Sequence, residues 1–238
     1  MAREDPIGLP VIDAALAETR PTVDSFVRAA SEYVRSSRDL GTSLAKKAQL
    51  RLSYILGRVI AADLAERLDG LDARVGETKV GGGLRSVNAD VAEYHKTDGL
   101  RLAIEIKPIN LAVGRAIWNR FGDIRTFAVN VHLKFPFAVV GGVLTLPTYE
   151  ETAKKDGTIS RKSTVHLIER ATERLARSGN RETEGDAAHL LEAIGLVIYD
   201  PDSQELDPDH PPAGSSLRWE EFIDRLATAY AGRFEGSD

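Results

Sequence analysis

Leu100-Arg101-Leu102-Ala103-Ile104-Glu105-Ile106-Lys107 reads as a strand whose two faces carry different chemistry. Successive side chains of a strand point to opposite sides, so Leu102, Ile104 and Ile106 share one face and Ala103, Glu105 and Lys107 the other. A carboxylate and an ammonium therefore stand two residues apart opposite an apolar surface. Lys96-Thr97-Asp98-Gly99 just before it is a turn sequence, with glycine suited to positive φ. Residues 84–94 then fold back on it as an antiparallel partner, with Val87, Ala89 and Val91 on one side and Ser86, Asn88, Asp90 and Ala92 on the other.

Working outward, residues 44–68 run without proline. Leu52, Ile55, Leu56, Val59, Ile60, Leu64 and Leu68 recur near helical spacing, and Gly70 and Gly76 are read as ending that helix. Residues 74–80 form a further strand. Gly81-Gly82-Gly83 lacks the lysine and the strand-to-helix setting of a phosphate loop, and is read as a hinge or a close backbone approach. Downstream, Pro108 stops the strand and Asn110 is expected to cap a helix over 111–133. Residues 137–146 are an almost unbroken apolar run, the mark of a strand buried on both faces and parallel to its neighbour.

Helix is expected over 22–36, 164–178, 184–194 and 219–230, strand over 195–199, and surface loop over 150–162 and 201–216. The expected fold is α/β, a central mixed β-sheet flanked by helices. It forms one domain over 1–238, with its core at about 44–146, a helical N-terminal part and an α/β C-terminal part from about 147.

Composition narrows the function classes. The chain has 238 residues, 42% hydrophobic and 28% charged, ordinary values for a globular protein. Cysteine is absent, which excludes disulfides and thiolate metal sites. No run approaches the roughly 18 apolar residues of a membrane span, and the opening Met-Ala-Arg-Glu-Asp-Pro carries no apolar signal region, so a cytoplasmic protein is expected. The net charge of −5 argues against non-specific coating of nucleic acid but not against a basic patch. Positive charge clusters at Arg115, Arg120 and Arg125, at Lys154, Lys155, Arg161 and Lys162, and from Arg170 to Arg181. The five histidines show no ligand spacing and are read as surface or capping residues.

Metal-assisted phosphodiester chemistry requires hard oxygen ligands converging on one point beside a cation. Asp90 across the hairpin from Glu105 meets that requirement, with Glu93 a rival because the register is loose by a residue or two. Lys107 is the cation, and a strand presents the Ile106 carbonyl beside Glu105 as a further ligand. The blander reading is a charged strand face turned to water.

Asp90, fourteen intervening residues and then Glu105-Ile106-Lys107 resemble the motif of the PD-(D/E)xK nuclease superfamily, the restriction-endonuclease-like fold. The order helix, acid-bearing hairpin, helix, buried strand over about 44–146 is similar too. Ala89 stands where the motif's name has proline. The resemblance implies that Asp90 and Glu105 bind Mg2+ and that Lys107 positions the attacking water. It also implies that an acid of the preceding helix joins the metal, for which Asp63 and Glu66 are both available. The implied activity is magnesium-dependent hydrolysis of double-stranded DNA by a type II restriction endonuclease acting as a homodimer. Arg115, Asn119, Arg120, Lys154, Lys155, Arg161 and Lys162 would then contact the DNA. A nuclease acting on branched DNA and a non-catalytic α/β binding protein are the alternatives.

Overall fold

A computed structural model describes residues 9–38, 40–153 and 156–235. Among them the chain runs α1 (Pro10–Ala17), α2 (Val23–Ser36), α3 (Thr42–Ala65), β1 (Arg74–Val80), β2 (Val87–His95), β3 (Gly99–Pro108), α4 (Val113–His132) and β4 (Val139–Pro147). It continues through β5 (Tyr149–Ala153), β6 (Ile159–Ser163), α5 (Val165–Ala176), β7 (Ala193–Asp200), β8 (Glu205–Leu206) and α6 (Trp219–Phe234). The protein is α/β. A six-stranded mixed sheet in the order β1-β2-β3-β4-β7-β8 is flanked by helices on both faces. Strands β1, β2 and β3 are successively antiparallel, β3, β4 and β7 are parallel, and β8 turns back antiparallel on β7. No described helix is long and apolar enough to cross a membrane.

The two-sided burial follows from the sequence. Leu102, Ile104 and Ile106 join the helices α1, α2, α3 and α6 in one apolar layer, while Leu100 and Ala103 join α4 and α5 in the other. Leu100 and Leu102 fall on opposite faces because Arg101 is an extra residue: Tyr94 pairs with Leu100 and Glu93 with Leu102. Strand β4 is buried at every position, as its composition implies. Its two central glycines allow both helical layers to close. A Cβ on Gly141 would lie 3.2 Å from Leu226 of α6, and one on Gly142 only 2.5 Å from Ile124 of α4. Gly142→Ala is therefore expected to lower unfolding free energy by about 1–3 kcal/mol in a urea titration, because the contact is made by a branched buried side chain.

Several expectations are corrected. In place of the loop expected over 150–162, Tyr149–Ala153 and Ile159–Ser163 pair as antiparallel strands, stabilised by cross-strand pairs such as Glu150 with Lys162 and Glu151 with Arg161. The helix expected over 184–194 is replaced by turns and irregular chain up to residue 192 and by the start of β7 from Ala193. There the Asp186 carboxylate accepts hydrogen bonds from the Glu182 and Thr183 N–H groups, and Leu191 bonds to the backbone of Ser178 and Arg181. Asn110 does not cap α4. It is buried and accepts a hydrogen bond from the Tyr199 hydroxyl, and the N-cap is Ala112 in the left-handed region.

Gly76 does not end a helix either. It sits inside β1 at φ 107°, where Gly76 and Glu77 together stand opposite Asp90 in a bulge. The bulge also breaks the alternation expected for β2: Ala89 and Ala92 face the α4 layer, and Val91 faces the α3 layer.

Candidate active site

The bulge sets the geometry of the site. Beyond the Val91–Ile104 pair, β2 and β3 leave the regular ladder, and the Asp90 side chain takes over one of its bonds. Asp90 Oδ2 accepts from the Ile106 N–H at 2.7 Å. In a strand the N–H and C=O of one residue point to the same edge, so the Ile106 carbonyl also faces the gap beside Asp90. Lys107 and Glu105, two residues apart on one strand face, form an ion pair. Asp90, Glu105 and Lys107 line one cavity of about 370 Å³ together with Glu77, Asn88 and Asp123. A second cavity, about 420 Å³, shares Glu77, Asp90 and Lys107 with the first and extends along α3 past Ser53, Gln49 and Lys46. The two form a continuous groove with the acids at its middle.

Glu105 is 9% exposed, so this part of the sheet is not a charged face turned to water. Burial pushes its carboxyl up from 4.5 to about 7; the Lys107 ammonium opposes this, and the charges of Asp90 and Asp123 add to it. Burial also raises Asp90, opposed by the Ile106 hydrogen bond and Lys107 and assisted by Glu77. Two carboxyls held above their ordinary range by desolvation and by neighbouring carboxylates suit a site that receives positive charge.

A carboxyl whose folded pKa lies above its unfolded value favours folding while it is protonated. The contribution of Glu105 is thus complete below about pH 4.5 and is lost as pH rises towards about 7. Glu105→Gln is expected to be more stable than the native chain at pH 8 by on the order of 2–3 kcal/mol, the difference closing towards pH 4.5. Urea titrations across that range read it; a constant difference would contradict the assignment.

Glu93, the rival ligand, faces the other layer and accepts from the Tyr230 hydroxyl at 2.6 Å. The acid expected from the preceding helix is not at the site. Gly57 of α3 packs on Val75 and Val91 near the Asp90 carbonyl, and Glu66 lies nine residues further on, about 14 Å along the axis. Glu66 pairs with Arg20, and Asp63 accepts from the Trp219 indole N–H at 2.8 Å. The N-terminal half of α3 borders the groove instead, presenting Lys46, Gln49, Ser53 and Tyr54.

Of the residues expected to contact DNA, Arg120 borders the groove and pairs with Asp123 at 3.0 Å. Arg115 and Asn119 are exposed on α4 but line neither cavity. Arg161 lies on the β5–β6 hairpin, stacked 3.8 Å over Tyr149 and bonded to Glu151 and Asp202. Lys162 is exposed on the same hairpin, and Lys154 and Lys155 lie outside the described residues. Asp123 was legible from Arg120, since 120, 123 and 127 share one helical stripe and all three line the groove. Glu77 carried no such signal, because only the bulge brings it opposite Asp90.

Among the described residues, no group of three or more acidic, histidine or cysteine side chains is gathered closely enough to hold a metal ion by itself. Asp90, Glu105 and the Ile106 carbonyl are instead a sparse all-oxygen set. That suits Mg2+, which keeps several waters and takes one or two carboxylates. The chain matches no family model, no curated protein and no solved structure.

Proposed function

We propose that this protein is a magnesium-dependent endonuclease that hydrolyses phosphodiester bonds of double-stranded DNA in the cytoplasm, in the manner of a type II restriction enzyme. One observation carries the reading: Asp90, hydrogen-bonded to the Ile106 N–H, lines the same cavity as the buried Glu105–Lys107 pair. The order α3, β1-β2-β3, α4, β4, with β4 parallel to β3, supports a restriction-endonuclease-like core.

Asp90, Glu105 and the Ile106 carbonyl would hold Mg2+, which supplies Lewis-acid polarisation of the phosphate and acidifies water. Asp90 is oriented by its backbone hydrogen bond and Glu105 by its place on a central strand. Lys107 Nζ, on the same strand face as Glu105, is suited to hold the attacking water and to offset charge on the pentavalent phosphorus. Cutting both strands of a palindromic site would call for a homodimer.

The test is digestion of a long, unmodified DNA of known sequence with Mg2+ or Mn2+ and with EDTA. Discrete fragments that need the metal are the expected result. A folded protein that leaves duplex DNA intact with both metals would overturn the restriction reading, and cutting confined to forked DNA would move it to the branched-DNA alternative.

A further inference from the structure

The groove has a cation at each end, and these are not the ones that charge clustering pointed to. Arg85 borders the first cavity and Lys46 the second. The other cations of the groove are engaged, Lys107 with Glu105 and Arg120 with Asp123. Among the described residues, neither the Arg85 guanidinium nor the Lys46 ammonium has an ion pair or hydrogen bond.

Both are carried on fixed backbone. Lys46 is on the second turn of α3. Arg85 follows Gly81-Gly82-Gly83, which lies directly against α4: a Cβ on Gly82 would sit 2.8 Å from the Asn130 Cβ, and one on Gly83 2.4 Å from the Leu133 Cβ. Asn130 clamps this loop. Its carbonyl accepts from the Gly83 N–H at 2.8 Å, its side-chain oxygen accepts from the Arg85 N–H at 2.9 Å, and its amide donates to the Thr126 carbonyl. The three glycines are thus a close approach of backbone to helix, and its effect is to hold Arg85 at the mouth of the groove.

Between these cations lie Glu77, Asp90, Glu105 and Asp123, which would repel a polyanion. A phosphate chain crossing them needs positive charge on both sides. We propose that Arg85 and Lys46 are positioning residues that grip the phosphodiester backbone on either side of the bond to be cut, so that one nucleic-acid strand lies along the groove from the 81–86 loop to α3. This rests on the nuclease reading of the same site.

The test is binding of an end-labelled DNA duplex by the full chain in metal-free buffer, followed by fluorescence anisotropy over a range of salt concentrations. Arg85→Ala and Lys46→Ala are each expected to raise Kd by roughly 3–10-fold and to reduce the slope of log Kd against log salt by about one, with the two effects adding in the double variant. Arg85→Lys restores part of the loss, and Lys47→Ala, one position along and outside the groove, leaves Kd unchanged. With Mg2+ the loss in kcat/KM falls mainly on KM, and thermal melting verifies that the variants fold. If the native chain cuts DNA but both alanine variants bind it with native Kd and slope, the assignment of Arg85 and Lys46 is wrong and the nuclease reading survives. If the native chain neither binds nor cuts DNA, both fail.

Discussion

On the proposed mechanism, Glu105→Ala is expected to lower magnesium-dependent DNA cleavage by on the order of 10³-fold or more while the protein stays folded. The magnitude follows from the several kcal/mol a bound cation supplies to charge developing at phosphorus, at 1.4 kcal/mol per tenfold. The fold is expected to survive because at pH 8 the desolvated, ionised carboxyl opposes folding, which offsets the packing lost with the side chain. This pairing of lost activity with unreduced stability separates a site role from a structural one. Lys107→Met completes the test. Without its ammonium the Glu105 carboxyl rises further, so, if the proposed metal site binds calcium, the pH midpoint of that binding in calorimetry is expected to move upward from that of the native chain. Native cleavage rates in Glu105→Ala would rule the mechanism out.

The largest loss of stability is expected at Glu192, far from any chemistry. Its side chain is wholly buried and is met by Arg181 at 2.8 Å, Arg233 at 2.7 Å, His132 at 3.2 Å and the Val140 N–H at 2.8 Å. His132, expected at the surface or as a cap, is buried here, and its two ring nitrogens face the Glu192 carboxylate and the Ala188 carbonyl. Burial by itself would push the Glu192 carboxyl up; the His132 hydrogen bond and the charges of His132 and Arg233 outweigh it and hold it below its ordinary value. Its contribution is therefore present at neutral pH and is lost as pH falls through that lowered folded value. Glu192→Ala leaves Arg181 buried without a counter-charge, for which about 3–5 kcal/mol is the expected cost in urea titrations. A change below about 1 kcal/mol would mean that the arginines find other partners.

Where regular structure is driven by apolar pattern, the sequence was readable. The helix at 42–65, the hairpin around Asp98-Gly99, the doubly buried β4 and the crossover that makes β3 and β4 parallel all follow from spacing and composition. Asp90, Glu105 and Lys107 line one cavity, but the Asp90 side chain reaches it by bonding the Ile106 N–H where the ladder breaks, not by pairing across the hairpin. The rest depended on long-range events. Nothing local marks Gly76 as a bulge rather than a helix end, so Glu77 was not seen. The placement of α3 along the sheet, with Gly57 packed closely on Val75 and Val91, brings Lys46 and Gln49 to the groove and leaves Glu66 beyond it. Residues 184–192 have helical composition but are held as irregular chain, with Asp186 bonding the Glu182 and Thr183 N–H groups and Leu191 bonding Ser178 and Arg181.

The two ends of the main sheet govern what a second copy could do. On one side is β1, interrupted by its Gly76 bulge and carrying exposed Arg74, Glu77 and Lys79; on the other is β8, only two residues long. A bulged, charged border and a very short one are poor templates for strand addition, since an incoming strand finds neither an even row of backbone partners nor an apolar margin. The main sheet therefore offers a second copy no ready edge for strand addition, and unfolding intermediates that keep it would resist end-to-end aggregation.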